Sequence, residues 1–253
     1  MLSKSFSVSV VSHGHGAQVE QLLADIARWS DSSLKKVIVT VNAPELDAGF
    51  FNRPADGLKF ELCITKNTEP LGFGTNHNRA FLNCDTDYFF VLNPDLELPE
   101  NPFPELLKAL SITKTGCAYP VQISPNGALQ EFERTLPTPL AIAKRRMLQF
   151  SKQPTRITPP QWVSGAFMAF NSAVFRSLGG FDERYYMYCE DVDICLRLQL
   201  AGFGLTRAHA TVVHHAQRQT TKSLRHLAWH VRSLLQLWNS PTYKAYQYLI
   251  ANH

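Results

Sequence analysis

Charge is scarce in this chain. Only 18% of its 253 residues are Asp, Glu, Lys or Arg, and the net charge of +4 is too mild to demand a polyanion as partner. The basic stretches come without a recognised nucleic-acid module, so no nucleic acid is expected as partner. Cysteine is sparse as well. Cys63, Cys84, Cys117, Cys189 and Cys195 are odd in number and scattered, with no CxxC pair. That excludes a disulfide or zinc framework and leaves reduced, mostly buried thiols. No apolar run approaches the length that crosses a bilayer, and no signal-peptide apolar region follows Met1 to Ser5. Cytoplasmic residence is the expectation. There is no internal repeat and no low-complexity segment. What remains is a chain that is 45% hydrophobic, enough for a sizeable core in one domain or two fused halves.

Residues 6 to 12, FSVSVVS, read as a strand that breaks at His13-Gly14-His15-Gly16 and leads into a helix carrying Val19, Leu22, Leu23 and Ile26. Lys36 to Asn42 and Lys59 to Lys66 supply two further strands, the first nearly continuous in apolar residues, as in a parallel sheet. Alternating strands and helices imply an α/β layer architecture, whose ligands sit at the carboxyl ends of strands. Ser12, His13, Gly14, Asn42 and Asn67 are therefore candidates. A Gly-rich loop with Gly72, Gly74 and Asn78 then opens a helix, and reads either as a plain turn or as a phosphate cradle. Asp87 to Asp95 is an apolar strand cut at Asn93-Pro94-Asp95, which presents Asp95 either as a turn residue or as a ligand for a hard divalent cation.

Phe103 to Ile112 is the next helix, and Cys117 to Ile123 with Leu129 to Thr135 reads as a strand pair around the Asn126-Gly127 turn. Lys144, Arg145, Arg146, Lys152 and Arg156 lie interleaved with apolar residues, which suits an anionic membrane surface, a lipid diphosphate or a solvated helix. Trp162 to Asn171 reads as one buried strand. The strand from Gly204 ends in His214-His215, where an imidazole is either structural or completes a metal site with Asp95. From Lys222 to Trp238, Leu224, Leu227, Ala228, Val231, Leu234, Leu235 and Trp238 share one side of a helix, and Lys222, Arg225, His226, His230 and Arg232 the other. The apolar side covers the sheet or meets lipid.

The stretch from Phe181 to Gly202 is the most informative. Glu190, Asp191 and Asp193 begin a helix expected to run from about Glu190 to Ala201, with Gly202 as its stop and Asp193 paired to Arg197. The loop before it, Tyr185-Tyr186-Met187-Tyr188, is too apolar for an ordinary surface turn. An aromatic wall beside a carboxylate suits a site that holds a hydroxyl compound and removes its proton.

Taken together, Asn67 with GFGxNxN, LNPD, WVSGAF and FDERYYMYCEDVDICLRL resemble the inverting family 2 glycosyltransferases of the GT-A fold. VSHGHG, LGFGTNHN, FVLNPD, YMYCEDVD and HHAQ with WHVRS narrow this to the bacterial rhamnosyltransferases of O-antigen assembly. The resemblance spans the chain and implies a Rossmann-like donor half over 1–125, an acceptor and catalytic half over 126–216 and C-terminal amphipathic helices over 217–253. It implies transfer of L-rhamnose from dTDP-L-rhamnose to N-acetylglucosaminyl-diphospho-undecaprenol, at the cytoplasmic face of the inner membrane as a peripheral protein. It makes Asp191 the general base with Glu190 as neighbour. Asp95, with His214, would hold Mg²⁺ or Mn²⁺. Ser12, His13, Gly14, Asn42, Asn67, Gly72, Gly74, Asn78, Asn93 and Asp95 would line the donor, and Trp162, Gly165, Tyr185, Tyr186 and Tyr188 the acceptor. Two departures stand out: Asn93 replaces the first acid of the family's Asp-x-Asp, and Val41-Asn42 replaces Asp-Asn at the nucleobase. A UDP-sugar donor and a silent nucleotide-sugar-binding module are the alternatives.

Overall fold

The computed structural model describes residues 4–42, 57–142, 159–215 and 223–252. The basic run from Lys144 to Arg156 falls outside them. The first half alternates as expected: β1 (Phe6–Ser12), α1 (Gly16–Trp29), β2 (Leu34–Val41), β3 (Glu61–Lys66), α2 (Phe73–Phe81) and β4 (Tyr88–Leu92). β1 lies between β2 and β4, parallel to both, and β2 pairs with β3 in parallel. The carboxyl ends of these strands, Ser12, Val41, Lys66 and Leu92, therefore share one edge.

The chain continues through β5 (Leu96–Glu97), α3 (Phe103–Leu110), β6 (Thr115–Ile123), β7 (Glu133–Arg134), β8 (Trp162–Val163), β9 (Phe167–Asn171), α4 (Ser172–Ser177), α5 (Glu190–Leu200), β10 (Gly204–His214), α6 (Leu224–Asn239) and α7 (Pro241–Ala251). The main sheet has the order β3-β2-β1-β4-β9-β6-β10-β5. β9 runs antiparallel between β4 and β6, and β10 runs parallel to β6. Hence the start of β9 and the ends of β6 and β10 reach the same edge as the first four carboxyl ends.

Strand alternation divides the core between the two faces. Phe90 joins Val8, Val10 and the α1 and α3 residues Leu22, Ile26 and Leu106 on one face. Phe89 joins Phe170, Phe81 of α2, Phe175 of α4 and Ile194 of α5 on the other. With helices on both faces, a strand fully buried on each side must be apolar throughout, as Tyr88 to Leu92 is.

Three expectations need correction. The pair around Asn126-Gly127 is a stub: Ile123 bridges Leu129, and the chain then leaves, so that β7 pairs with β8 instead. The reason is saturation, since β6 already has β9 on one side and β10 on the other. The supposed strand from Trp162 to Asn171 is two strands, broken at Ser164 to Ala166 where the Gly165 N–H is diverted to the Asp191 carboxylate at 3.1 Å. The third concerns α6. Its inward side carries Ser233, Leu234 and Leu237, with half-buried His226, Trp229 and His230, while Leu224, Val231 and Leu235 are 85%, 47% and 52% exposed. The helix is rotated because its histidines and Trp229 serve the tyrosine loop, as described next.

Candidate functional site

The Gly165-Ala166 dipeptide joins the two groups of acids. Asn93 N–H donates to Ala166 O at 2.8 Å, so the Asn-Pro-Asp turn is moored on one side of it. On the other side the Gly165 N–H holds Asp191 Oδ2. A Cβ at Gly165 would stand 3.3 Å from that of Asp191, so only a glycine lets the carboxylate come this close without displacement.

At the first turn, Asp95 faces His214, with Oδ1 3.4 Å from Nε2. Gln130, which no sequence pattern singled out, fixes the imidazole. Its Nε2 donates to His214 O at 2.6 Å, which turns its Oε1 toward His214 Nδ1 at 3.0 Å. The proton then sits on Nδ1, and the Nε2 lone pair is aimed at Asp95 Oδ1, a buried oxygen without a hydrogen-bond partner among the described residues. Two electron-rich atoms face each other across a gap that asks for a cation. Ligands about 2.1 Å from a divalent ion and side by side in its coordination sphere stand roughly 3 to 3.4 Å apart, so the pair fits such an ion. Among the described residues no cluster of three or more metal-binding side chains occurs.

The second group sits at the start of α5. Tyr188 and Cys189 are both left-handed, at φ 71° and 68°, a conformation that costs non-glycine residues about 1–3 kcal/mol each. This double turn aims the next two side chains. Asp191 accepts from Gly165 N–H and, through Oδ1, from Val192 N–H at 2.9 Å, and it stays partly accessible. Glu190 is buried, and its Oε2 has no hydrogen-bond partner among the described residues. Burial and then the Asp191 charge push Glu190 well above the ordinary carboxylate range. Burial also raises Asp191, against the two N–H donors and the Arg134 charge. Asp191 is thus the first of the pair to ionise, and Glu190 holds a proton behind it. The expected pair of Asp193 with Arg197 forms, with Arg197 Nε donating at 2.7 Å, and Asp193 is buried.

The aromatic loop is clamped from both sides. Asn78 takes the backbone of Phe181 as a strand would: Oδ1 accepts from its N–H and Nδ2 donates to its O, both at 2.8 Å. Gly72 and Gly74 lie against the same loop. Cβ atoms there would come within 2.8 Å of Tyr186 O and 2.7 Å of Phe181 Cβ. Phe73 N–H donates to Tyr186 O at 3.0 Å, so the N-terminus of α2 meets protein at this point. Tyr185 is wholly buried in the core, so its ring is not part of the wall. Tyr186 and Tyr188 are half-buried under α6: Tyr186 packs at a tilt against Trp229 with ring centres 4.9 Å apart, Tyr188 hydroxyl bonds His226 Nδ1 at 2.8 Å, and Ser233 Oγ–H donates to Met187 O at 2.8 Å. Burial pushes the Tyr188 phenol up to about 12, keeping it neutral. Trp162 is buried too, its indole N–H donating to Thr135 O at 2.7 Å.

At the ends of β2 and β3, Asn42 Oδ1 accepts from Leu71 N–H and Asn67 Nδ2, and its Nδ2 reaches Leu71 O and His13 Nδ1. Asn67 Nδ2 also donates to Asn76 Oδ1 at 2.7 Å. Ser12 is buried, His13 is exposed, and Gly14 follows with φ +78° in open space. His77, missed in the sequence, is buried in α2 against Ser9 Oγ at 2.8 Å, and burial drives its titration down to about 3.

Comparison with known proteins follows this geometry. Residues 7–179 match the family model described as Glycosyl transferase family 2. The chain is 28% identical over 248 residues to the rhamnosyltransferase WbbL of Escherichia coli K12, covering 89% of each. It is 30% identical over 190 residues to the N-acetylglucosaminyl-diphospho-decaprenol L-rhamnosyltransferase of Mycobacterium tuberculosis, covering 64% of this chain and 62% of that one. Among solved structures, a Pyrobaculum calidifontis mannosyltransferase with GDP-Man and Mn²⁺ superposes with TM-score 0.65 at 15% identity, over 100% of this chain and 76% of that one. GalNAc-T7 with UDP, GalNAc and Mn²⁺ gives TM-score 0.65 at 16% identity over 83% of this chain and 43% of its own length. At these identities the likeness shows the fold.

Proposed function

The chain belongs to glycosyl transferase family 2, and from that premise we propose that it moves L-rhamnose from dTDP-L-rhamnose to N-acetylglucosaminyl-diphospho-undecaprenol in O-antigen assembly. The supporting names are those of its relatives, one a rhamnosyltransferase and one acting on a sugar carried by a polyprenyl diphosphate. The observation that carries a transfer chemistry is the Gly165-Ala166 dipeptide, with a base on one side and an acid-imidazole pair on the other. A silent binding module has no use for that pairing.

Asp191 takes the proton of the acceptor hydroxyl as its oxygen attacks the anomeric carbon from the face opposite the leaving diphosphate, so the configuration inverts. Glu190 keeps its proton and leaves Asp191 the ionised partner. Asp95 and His214 are the residues that would hold Mg²⁺ or Mn²⁺, which supplies charge stabilisation for the departing nucleoside diphosphate. Ser12, His13, Asn42 and Asn67 sit at the donor edge. Asn93 fixes the turn, and Gly72, Gly74 and Asn78 act through the loop they pack against. Tyr186 and Tyr188 form the acceptor wall. Residues 1–125 and 126–216 divide donor from acceptor.

No described helix is long and apolar enough to cross a membrane. The outward face of α6, where exposed Leu224, Val231 and Leu235 adjoin exposed Arg225 and Arg232, supports peripheral attachment to the anionic cytoplasmic face of the inner membrane. The test is product mass spectrometry on a short-lipid GlcNAc-diphosphate acceptor with dTDP-rhamnose and UDP-sugars offered separately. A rhamnosylated product lost with EDTA is expected. Transfer from a UDP-sugar alone, which the missing carboxylate at Val41 leaves open, overturns the donor.

A further inference from the structure

We propose that Arg134 holds the acceptor's diphosphate and thereby makes the enzyme prefer the phosphorylated, lipid-linked sugar over the same sugar without phosphates. This rests on the transfer reaction above. β7 and β8 form a separate two-stranded ribbon in which Arg134 lies opposite Trp162 and Glu133 opposite Val163. Glu133 is turned inward and buried. Arg207 Nη1 donates to both its carboxylate oxygens, at 2.9 and 3.1 Å, and the Tyr119 hydroxyl donates at 2.9 Å. Successive strand residues face opposite ways, so with Glu133 anchored Arg134 must project from the other side of the ribbon. It does so in a fixed attitude: its guanidinium lies over the Trp162 ring at 5.0 Å, and Nε donates to Glu131 O at 2.9 Å. The Glu131 carboxylate pairs loosely with it, 3.9 Å from Nη2, and an incoming diphosphate competes with that pair.

The ribbon is also bound to the base. Ser164 N–H donates to Phe132 O at 2.9 Å, and the next residue, Gly165, holds Asp191. Arg134 is close enough for its charge to act on that carboxylate. An acceptor hydroxyl resting on Asp191 puts the diphosphate of the same sugar about one pyranose ring away, and it is assigned to the ribbon that carries Arg134. The donor diphosphate belongs across Gly165-Ala166, at Asp95 and His214. A planar guanidinium pre-set by stacking suits a diphosphate, which it can bind through two parallel N–H donors.

The experiment compares kcat/KM for two acceptors, a short-chain alkyl GlcNAc diphosphate and an alkyl N-acetylglucosaminide without phosphates, in wild type, R134A and R134K. In R134A the preference for the diphosphate is expected to shrink roughly ten- to hundredfold through KM, the loss of one strong charge-assisted contact, with R134K between. R134K retains the stem and charge, and carries the test should R134A unfold. Equal losses on both acceptors, or a rise in donor KM in place of acceptor KM, overturn the proposal alone. Wild-type enzyme that transfers nothing to the diphosphate acceptor overturns the transfer reading and this proposal with it.

Discussion

Replacing Asp191 by Asn removes the proton acceptor with little change of shape, and its size can be worked out from the carboxylate's surroundings. Two backbone donors hold it, Gly165 N–H at 3.1 Å and Val192 N–H at 2.9 Å. An amide accepts from one of them and turns its own NH₂ toward the other, a stability cost of about 1–3 kcal/mol. Part of this is returned, because burial disfavours the Asp191 charge. The variant is therefore expected to fold. A positioned general base contributes about 10²–10⁴ in rate, which at about 1.36 kcal/mol per decade is roughly 2.7–5.4 kcal/mol of barrier. The assay is initial-rate turnover with saturating donor and acceptor, alongside calorimetric donor affinity. Turnover should fall by that factor while donor Kd stays put. A folded D191N variant within about tenfold of wild type would refute the base assignment.

Gly165→Ala places a Cβ 3.3 Å from that of Asp191 and must push the carboxylate aside, so turnover should fall by about 10–100-fold with little loss of thermal stability. Gln130→Leu frees the His214 imidazole to turn, and the metal concentration for half-activation after EDTA stripping should rise about 10–100-fold. Glu190→Gln is read by stability against pH. Glu190 has a folded-state titration raised well above 4.5, so the folded protein holds a proton that the unfolded chain loses first, and wild-type stability falls as pH climbs from there. The Gln variant lacks this penalty, so its melting temperature should exceed that of wild type by a margin that grows with pH; a margin independent of pH contradicts the buried, protonated Glu190.

Much of the fold lies in short-range pattern. β1 runs from Phe6 to Ser12 and α5 begins at Glu190, both as the periodicity requires. Sequence pattern and structure part where a distant partner decides the outcome. Nothing local in Leu129 to Thr135 tells that β6 already has two neighbours. On α6 the apolar stripe reads as a face that covers the sheet or meets lipid, yet His226 and Trp229 point inward because Tyr188 and Tyr186 receive them. Gln130 and Arg134 were missed for the same reason, since Gln130 acts on a histidine 84 positions away. Asn76 and Asn78 did carry a signal: asparagine is a poor helix former, and two of them early in α2 ask what their side chains bind. Asn78 binds Phe181, 103 positions on. Asp95 and Asp191 could each be picked out in the sequence as an acid at an element's end. Their meeting across Gly165-Ala166 depends on β9 entering the sheet antiparallel beside β4, a pairing that only the tertiary structure supplies.

The most direct measurement is the anomeric configuration of the product, read by NMR from the one-bond C1–H1 coupling of the transferred sugar. A single displacement assisted by Asp191 predicts a linkage of configuration opposite to that of the dTDP-rhamnose donor. Retention of the donor's configuration would contradict the account, because it requires a second displacement for which Asp191 as base has no part.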